Sequence, residues 1–385
     1  MNQRLLLVAA IVFLVFVGFG IIIPVMPSLM SPTHLSWMLA AYSVASFLMS
    51  PVWGALSDRI GRRPVLLLGL TGFAVSFALF GLASGELWLM YVSRLLGGLF
   101  SGATMACAVA YVADITTEEK RTSGMGLIGM AIGLGFVFGP GMGGLLSALG
   151  SSVPFFVASA LTVGTLLLAS AKLPESLSPD KRGRTRAAGQ SRWSAFRGVL
   201  RPLYMLSFIV TFSMTGMETT IFYFLGHAID ADSRDMGILL TISGLVGALI
   251  QGGVVRRFVK RGDEVKVVSI GLVLSAAGLW LLLASSSFWT SALYLSVFAV
   301  GNALIRPCVT SLITLKAGND YGAASGLSSA MDSLGRIVGP LAGGYLYLAG
   351  MNWPFAAGGL LCLLSLGFVV WFMRADRTAE VKASA

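Results

Sequence analysis

The sequence predicts an all-α membrane protein of twelve transmembrane helices, built as two parallel six-helix repeats with both termini cytoplasmic. Three observations carry this expectation. Charged residues make up only 11% of the 385 positions and hydrophobic ones 56%, whereas a soluble domain carries about 25% charged residues. The charges are clumped, and the apolar runs between them reach about 20 residues, enough as helices to cross roughly 30 Å of hydrocarbon. Finally, the skeleton Gly126, Gly135, Gly139, Pro140, Gly143, Gly144 returns 200 residues later as Gly326, Gly335, Gly339, Pro340, Gly343, Gly344.

Twelve runs follow in order: 4–26, 35–57, 64–84, 87–111, 122–148, 153–172, 202–228, 236–258, 265–286, 289–315, 322–348 and 354–373. The alternating segments of a membrane β-barrel are missing from them. The first run sits where a secretory signal would, but it ends in Pro24-Val25-Met26-Pro27 without an Ala-x-Ala-like site, so it counts as span 1. With the N-terminus and every second loop on one side, that side holds 23 Lys and Arg, and the opposite side holds only Arg234. The rule that basic loops stay inside places both termini in the cytoplasm. The net charge of +10 is this asymmetry and needs no nucleic acid to explain it; the partner it implies is the lipid bilayer. Residues 173–201 form the one long polar stretch, with Pro174, Pro179 and Gly183. They read as a cytoplasmic linker between an N-terminal bundle (1–172) and a C-terminal bundle (202–373), with a tail over 374–385. Six spans precede the duplication, so the second half keeps the orientation of the first.

Cys107, Cys308 and Cys362 fall inside spans and lack metal-ligand spacing, so no metal site or disulfide is expected. No nucleophile–base set or phosphate loop appears, which argues against an enzyme and against a bound cofactor.

The loop after span 2 reads Gly54-Ala-Leu-Ser-Asp58-Arg59-Ile-Gly61-Arg62-Arg63. Gly54 suits close approach of another helix, and Gly61 suits a tight turn in a loop of about six residues. Asp58 can cap a helix N-terminus, where partial positive charge gathers. The matching stretch of the second half, Gly253 to Gly262, has Arg256 and Arg257 but no Asp. In span 5 the glycine string strips one face of side chains, so the helix can pack against the other half and slide; Pro140 kinks it.

Ionisable groups at membrane depth are costly and line cavities or relay protons. Here they are Arg94, Glu218, Arg306, Asp332 and Arg336. At 1.5 Å per residue, Glu218 lies about 24 Å from the inner surface, with Arg94 at a similar level. Asp332 lies about 15 Å up, near the depth of Arg306. Low dielectric disfavours a charged carboxylate, so an isolated carboxyl can load and lose a proton. The plainer alternatives are that Glu218 is held by Arg94 or Arg336, and that Asp332 is neutralised by Arg336 at i+4.

The inner-loop string resembles the signature of the major facilitator superfamily, whose fold is the two-repeat architecture above. The resemblance implies that Gly54, Asp58, Arg59, Gly61 and Arg62 form a cytoplasmic latch, with Asp114 of span 4 the partner of Arg62. The Gly126–Gly144 string resembles the superfamily's antiporter motif, which is associated with export. Three further strings narrow the likeness: Gly18-Phe19-Gly20 through Pro24 and Pro27, Met217-Glu218-Thr219, and Leu304-Ile305-Arg306-Pro307. With them the whole chain is similar to twelve-helix drug:proton antiporters, the Gram-positive quinolone and multidrug efflux pumps of the NorA and Bmr type.

That likeness implies a proton-coupled exporter of amphipathic or cationic small molecules, working by rocker-type alternating access as a monomer in a bacterial cytoplasmic membrane. Glu218 would couple protons and bind cationic drugs, with Arg94 and Asp332 assisting. Family positions for the substrate cavity map onto Phe16, Phe19, Ile23, Ser46, Ile132 and Phe136, joined by Asn302, Arg306, Asp332 and Arg336. The chain departs from the pattern in one place: the relatives' second acid, two residues before Ile-Arg-Pro, is Ala303 here. Asp332 is expected to take over its role. An alternative cargo is a zwitterionic metabolite, metallophore or lipid-linked compound read by Asp332 and Arg336. A remote alternative is a non-transporting receptor, which would carry a sizeable soluble domain.

Overall fold

The computed structural model describes residues 3–83, 85–177, 198–255, 257, 259, 262–317 and 321–384. Among them every regular element is helical. In the first half these are α1 (Gln3–Ile22), α2 (Pro32–Ile60), α3 (Arg62–Leu82), α4 (Leu87–Ile115), α5 (Glu118–Ser147) and α6 (Val153–Lys172). The second half has α7 (Arg201–Ile229), α8 (Ser233–Leu249), α9 (Glu264–Leu282), α10 (Phe288–Ala317), α11 (Tyr321–Ala349), α12 (Trp353–Leu364) and α13 (Leu366–Ser384). A six-residue π-helix, Ile250–Val255, continues α8. Span 12 is thus α12 running into α13, and the helix extends through the segment expected as a tail. Most of the expected linker, 178–197, lies outside the described residues.

Eleven helical segments among the described residues are long and apolar enough to cross a membrane. The exception is α11, which spans 29 residues but carries Asp332 and Arg336 among its glycines and serines. Its length suffices; its hydropathy does not. A helix of that kind is tolerated at membrane depth only where its polar face meets protein or water.

The chain divides into two compact units. The first comprises Met1–Arg186 with Asp232–Thr241, and the second comprises Ala187–Ala231 with Ile242–Ala385. In the first unit α5 lies along α1. A Cβ added to Gly135 would sit 2.5 Å from the Phe16 Cβ, one on Gly139 would sit 2.6 Å from the Gly20 Cα, and one on Gly143 would strike the Ile21 carbonyl oxygen. The second unit repeats the contact between α11 and α7. A Cβ added to Gly335 would sit 2.9 Å from the Phe208 carbonyl oxygen and the Phe212 nitrogen, and one added to Gly343 would sit 2.6 Å from the Gly216 carbonyl oxygen. Bare backbone against bare backbone brings the axes close, which is how helices associate when lipid supplies no hydrophobic drive.

The expected partner of the glycine face, the other half, is met only in part. Gly135, Gly139 and Gly143 pack on α1 of their own half. Gly144 alone of the named glycines turns to the outer part of α8, with its Cβ position 3.0 Å from the Gly237 Cα. Gly126 faces open space, and so does Gly54, where an added Cβ would meet nothing within 4 Å. The close approach expected at Gly54 is made instead by Gly98 and Gly102 of α4, against Tyr42 and Ser50 of α2.

The second unit is filled by a continuous apolar core in which Leu203, Tyr204, Leu206 and Val210 of α7 meet Leu272 of α9, Ile305 of α10, Leu327 of α11 and Phe372 of α13. At its basic end Lys316 of α10 bonds Asp376 of α13 at 2.6 Å. This ion pair ties the helical extension down where the other half uses a different device.

Candidate functional site

That device sits at the basic end of the first unit. The loop between α2 and α3 is one residue, Gly61, rather than about six, because α2 continues through Asp58 to Ile60. Gly61 takes φ 112° and ψ 160°, a conformation open in practice only to glycine. Asp58 therefore lies inside a helix and caps nothing. Its Oδ1 accepts from the Arg62 Nη2 at 2.6 Å, while Arg62 Nε donates to Asp114 Oδ2 at 3.1 Å and Nη1 to the Ser57 hydroxyl at 2.6 Å.

The cap on α3 comes from Glu175, just beyond α6. Its two carboxylate oxygens accept the Arg62 and Arg63 backbone N–H groups at 2.9 and 3.1 Å. A carboxylate across the first turn complements the helix dipole. Ser176 donates to the same Asp114 oxygen at 3.0 Å, and the Tyr111 hydroxyl donates to the Pro174 carbonyl at 2.7 Å. Arg59 is exposed and outside this network. Sequence reasoning missed Glu175, although it stands immediately after a span in the string Pro174-Glu175-Ser176.

Deeper in the first unit, Phe16 and Phe19 of α1 converge on Phe136 of α5, with ring centroids 5.3 and 5.9 Å away. Tyr42 of α2 closes on Phe19 at 5.8 Å, a fourth ring that sequence reasoning missed. Ser46 accepts from Ser101 at 2.9 Å, joining α2 to α4. Ile132 is half-buried on α5, and Ile23 falls one residue beyond the end of α1, in a turn. Arg94 is 2% exposed, and its guanidinium lies over Phe80 at 4.8 Å and Phe77 at 5.8 Å. Its Nε and Nη2 find no hydrogen-bond partner among the described residues.

In the second unit Glu218 is exposed although most of its neighbours on α7 are buried. Among the described residues it makes no hydrogen bond and no ion pair; the cations whose fields reach it are Arg336 and Arg306. The i+4 meeting of Asp332 with Arg336 gives way to a cross-helix arrangement. Thr211 of α7 donates to Asp332 Oδ1 at 2.9 Å, and Arg306 Nη2 of α10 stands 4.0 Å from Oδ2. Packing α11 against α7 turns the Asp332 side chain toward Thr211. Arg336, one turn on, is exposed. Asn302 donates to the Phe298 carbonyl of its own helix at 3.2 Å. No group of three or more His, Cys, Asp or Glu suited to a metal ion occurs among the described residues.

The arrangement is thus one of isolated membrane-depth charges, an aromatic cluster and a structured charged corner. Comparisons with known proteins bear on the fold and the family that carry it. The sequence model described as Major Facilitator Superfamily matches residues 8–263 and 227–385. Multidrug resistance protein 2 of Bacillus subtilis is 33% identical over 94% of this chain and 93% of its own length. Quinolone resistance protein NorA of Staphylococcus aureus is 28% identical over 90% of each. Among solved structures, the human organic anion transporter MFSD10 matches with a TM-score of 0.72 and 27% identity, over 96% of this chain and 100% of that one. A bacterial homolog of the human lysosomal transporter Spinster, inward-facing and occupied, matches with a TM-score of 0.77 over 96% of each chain, at 13% identity. That second match is a likeness of fold alone.

Proposed function

Because the chain belongs to the major facilitator superfamily, we propose that it is a proton-coupled exporter of amphipathic and cationic small molecules, a multidrug efflux pump of a bacterial cytoplasmic membrane. The observation that carries the reading is Glu218, a carboxyl some two-thirds of the way along α7 that is exposed and, among the described residues, held by no hydrogen bond or ion pair. A carboxyl left free at membrane depth can exchange a proton for a cation, as antiport requires. The names of the relatives from Bacillus subtilis and Staphylococcus aureus supply the cargo class. The basic segments face the cytoplasm, and the pump works as a monomer by rocking its two bundles about a central site.

Roles follow from placement. Glu218 takes the proton and the drug's positive charge in alternation. Asp332 stands beside Arg306 as the second acid, in place of the one missing at Ala303. The rings of Phe16, Phe19, Tyr42 and Phe136 offer apolar, π-rich surface to a flat cation. Arg62, bound to Asp58 and Asp114, belongs to the cytoplasmic latch, and Glu175 fixes the geometry of that corner. The test is transport of a lipophilic cation into proteoliposomes driven by an imposed pH gradient. Glu218→Gln should lower gradient-driven flux by at least about 100-fold, and undiminished flux in that variant would overturn the reading.

A second cargo class is supported by one observation. Arg306 and Asp332 expose opposite charges side by side, with their side chains 42% and 32% accessible, and MFSD10 is described as an organic anion transporter. Such a pair suits a zwitterion. Competition of cation export by zwitterionic against purely cationic amphiphiles separates the two.

A further inference from the structure

Helices α7 and α11 of the second unit meet along a seam of hydroxyl groups that neither the glycine frame nor the drug site explains. Ser207, Thr211 and Thr215 recur every fourth residue on α7, and Ser328 and Asp332 do so on α11. The seam begins near the basic end, where the Ser207 and Ser328 hydroxyls stand 3.2 Å apart. One turn deeper, Thr211 donates to Asp332. A further turn on, Thr215 donates to the carbonyls of Thr211 and Gly335 at 2.9 and 3.2 Å. Packing alone does not call for this, since backbone contact at the glycines already joins the helices.

Between α7, α10 and α11 the seam opens into a cavity of ≈ 30 Å³. Its polar lining is Ser207, Thr211, Arg306, Thr310, Ser328 and Asp332. The volume suits one or two waters, and the lining offers more than the two to four polar partners that a water needs. Arg306 of α10 stands beside Asp332; Glu218 lies seven residues beyond Thr211 on α7, Arg336 follows on its own helix, and α12, also packed on α11, brings only Cys362. Asp332 thus has a cation near enough to balance it and a hydroxyl to orient it, yet no ion pair at contact distance.

We propose that this cavity is a water or hydronium site that passes protons between Asp332 and the aqueous phase at the basic end, by way of the Ser207–Ser328 hydroxyl pair; this rests on the proton coupling proposed above. In the release step the protonated Asp332 gives its proton to the cavity water. The hydronium hands one proton to a serine hydroxyl, which gives its own to the next water. Every oxygen in the chain gains one proton and loses one. The carboxylate left behind is stabilised by the Thr211 hydroxyl and by Arg306. Glu218, about 10 Å further along α7 at 1.5 Å per residue, keeps its contact with cargo while the proton leaves by a separate door.

The test uses the full chain in proteoliposomes with ethidium as the lipophilic cation. Ser328→Val and Ser328→Thr have nearly the same bulk, but only the second keeps a hydroxyl. Flux driven by a pH gradient should fall about 10-fold in Ser328→Val and stay within about twofold of wild type in Ser328→Thr. Ethidium counterflow without a gradient needs no net proton release and should be retained in both. Ser207→Ala, which only removes a hydroxyl, should show the same split and a larger solvent isotope effect on gradient-driven flux. Wild-type flux in Ser328→Val and Ser207→Ala overturns the proposal, and so does an equal loss in the Val and Thr variants or an equal loss of flux and counterflow. Glu218→Gln run beside them tells the two failures apart. Gradient-driven flux surviving in that variant sinks the coupling itself, whereas its loss beside a fully active Ser328→Val sinks only the seam.

Discussion

Replacing Gly61 by alanine should be among the more destabilising single-atom additions this chain can suffer. The backbone there holds φ 112° and ψ 160°, where an L-residue costs about 1–3 kcal/mol. The added Cβ would also collide with the Glu175 carboxylate, which must then leave the Arg62 and Arg63 N–H groups. Losing such a cap costs about 1 kcal/mol. The sum is about 2–4 kcal/mol, read as the unfolding free energy in a detergent titration. Glu175→Ala alone should cost only the cap. The two changes should then be less than additive by roughly the value of the cap, since the alanine at position 61 has already displaced Glu175. Full additivity would show that the two residues do not communicate. A loss below about 0.5 kcal/mol for Gly61→Ala would refute the argument from backbone conformation.

Other outcomes follow from the same geometry. Asp332→Asn should cut gradient-driven export at least about 10-fold, and adding Ala303→Asp should recover part of it by returning a carboxyl one turn from Arg306; no recovery would mean that position on α11 matters and not merely charge. Arg94→Met should leave stability unchanged or raised in thermal unfolding, because two buried N–H groups worth about 1–3 kcal/mol each go unbonded by the described residues against a cation–π return of about 0.5–2. The same variant should lose export, and a marked fall in stability would instead make Arg94 structural. Gly339→Val should destabilise the second unit by about 2 kcal/mol or more, since its Cβ would strike the Thr215 hydroxyl and lie 2.7 Å from the Phe212 carbonyl; thermal unfolding checks this. Asp376→Asn should shift stability by no more than about 1 kcal/mol, because its ion pair with Lys316 is partly exposed.

The spans and the repeat were legible because both are written in local patterns, hydropathy over about 20 residues and a fixed glycine spacing. Even the exception was in view: the charges that single out α11 are the ones that keep it below the hydropathy of its neighbours. What sequence hid were choices among partners. Asp332 has Arg336 at i+4, an arrangement that local spacing favours, yet the fold offers it Thr211 and Arg306 from other helices. No periodicity records that. Glu175 was hidden for the same reason, since its partners lie more than 100 residues away. Asp58, by contrast, looked like a cap because the extent of α2 cannot be read past a glycine to better than a few residues.

The two glycine frames also bear on how such a protein can change. Contact through bare backbone rests on every fourth residue or so, and the side chains between the glycines are not what brings the axes together. One copy is neutral, and the other carries an acid and a base within the same glycine frame while keeping its seat on α7. A side chain between the glycines can therefore change without removing the backbone contact. A duplicated half with this face carries a ready supply of membrane-depth sites where new chemistry can be tried.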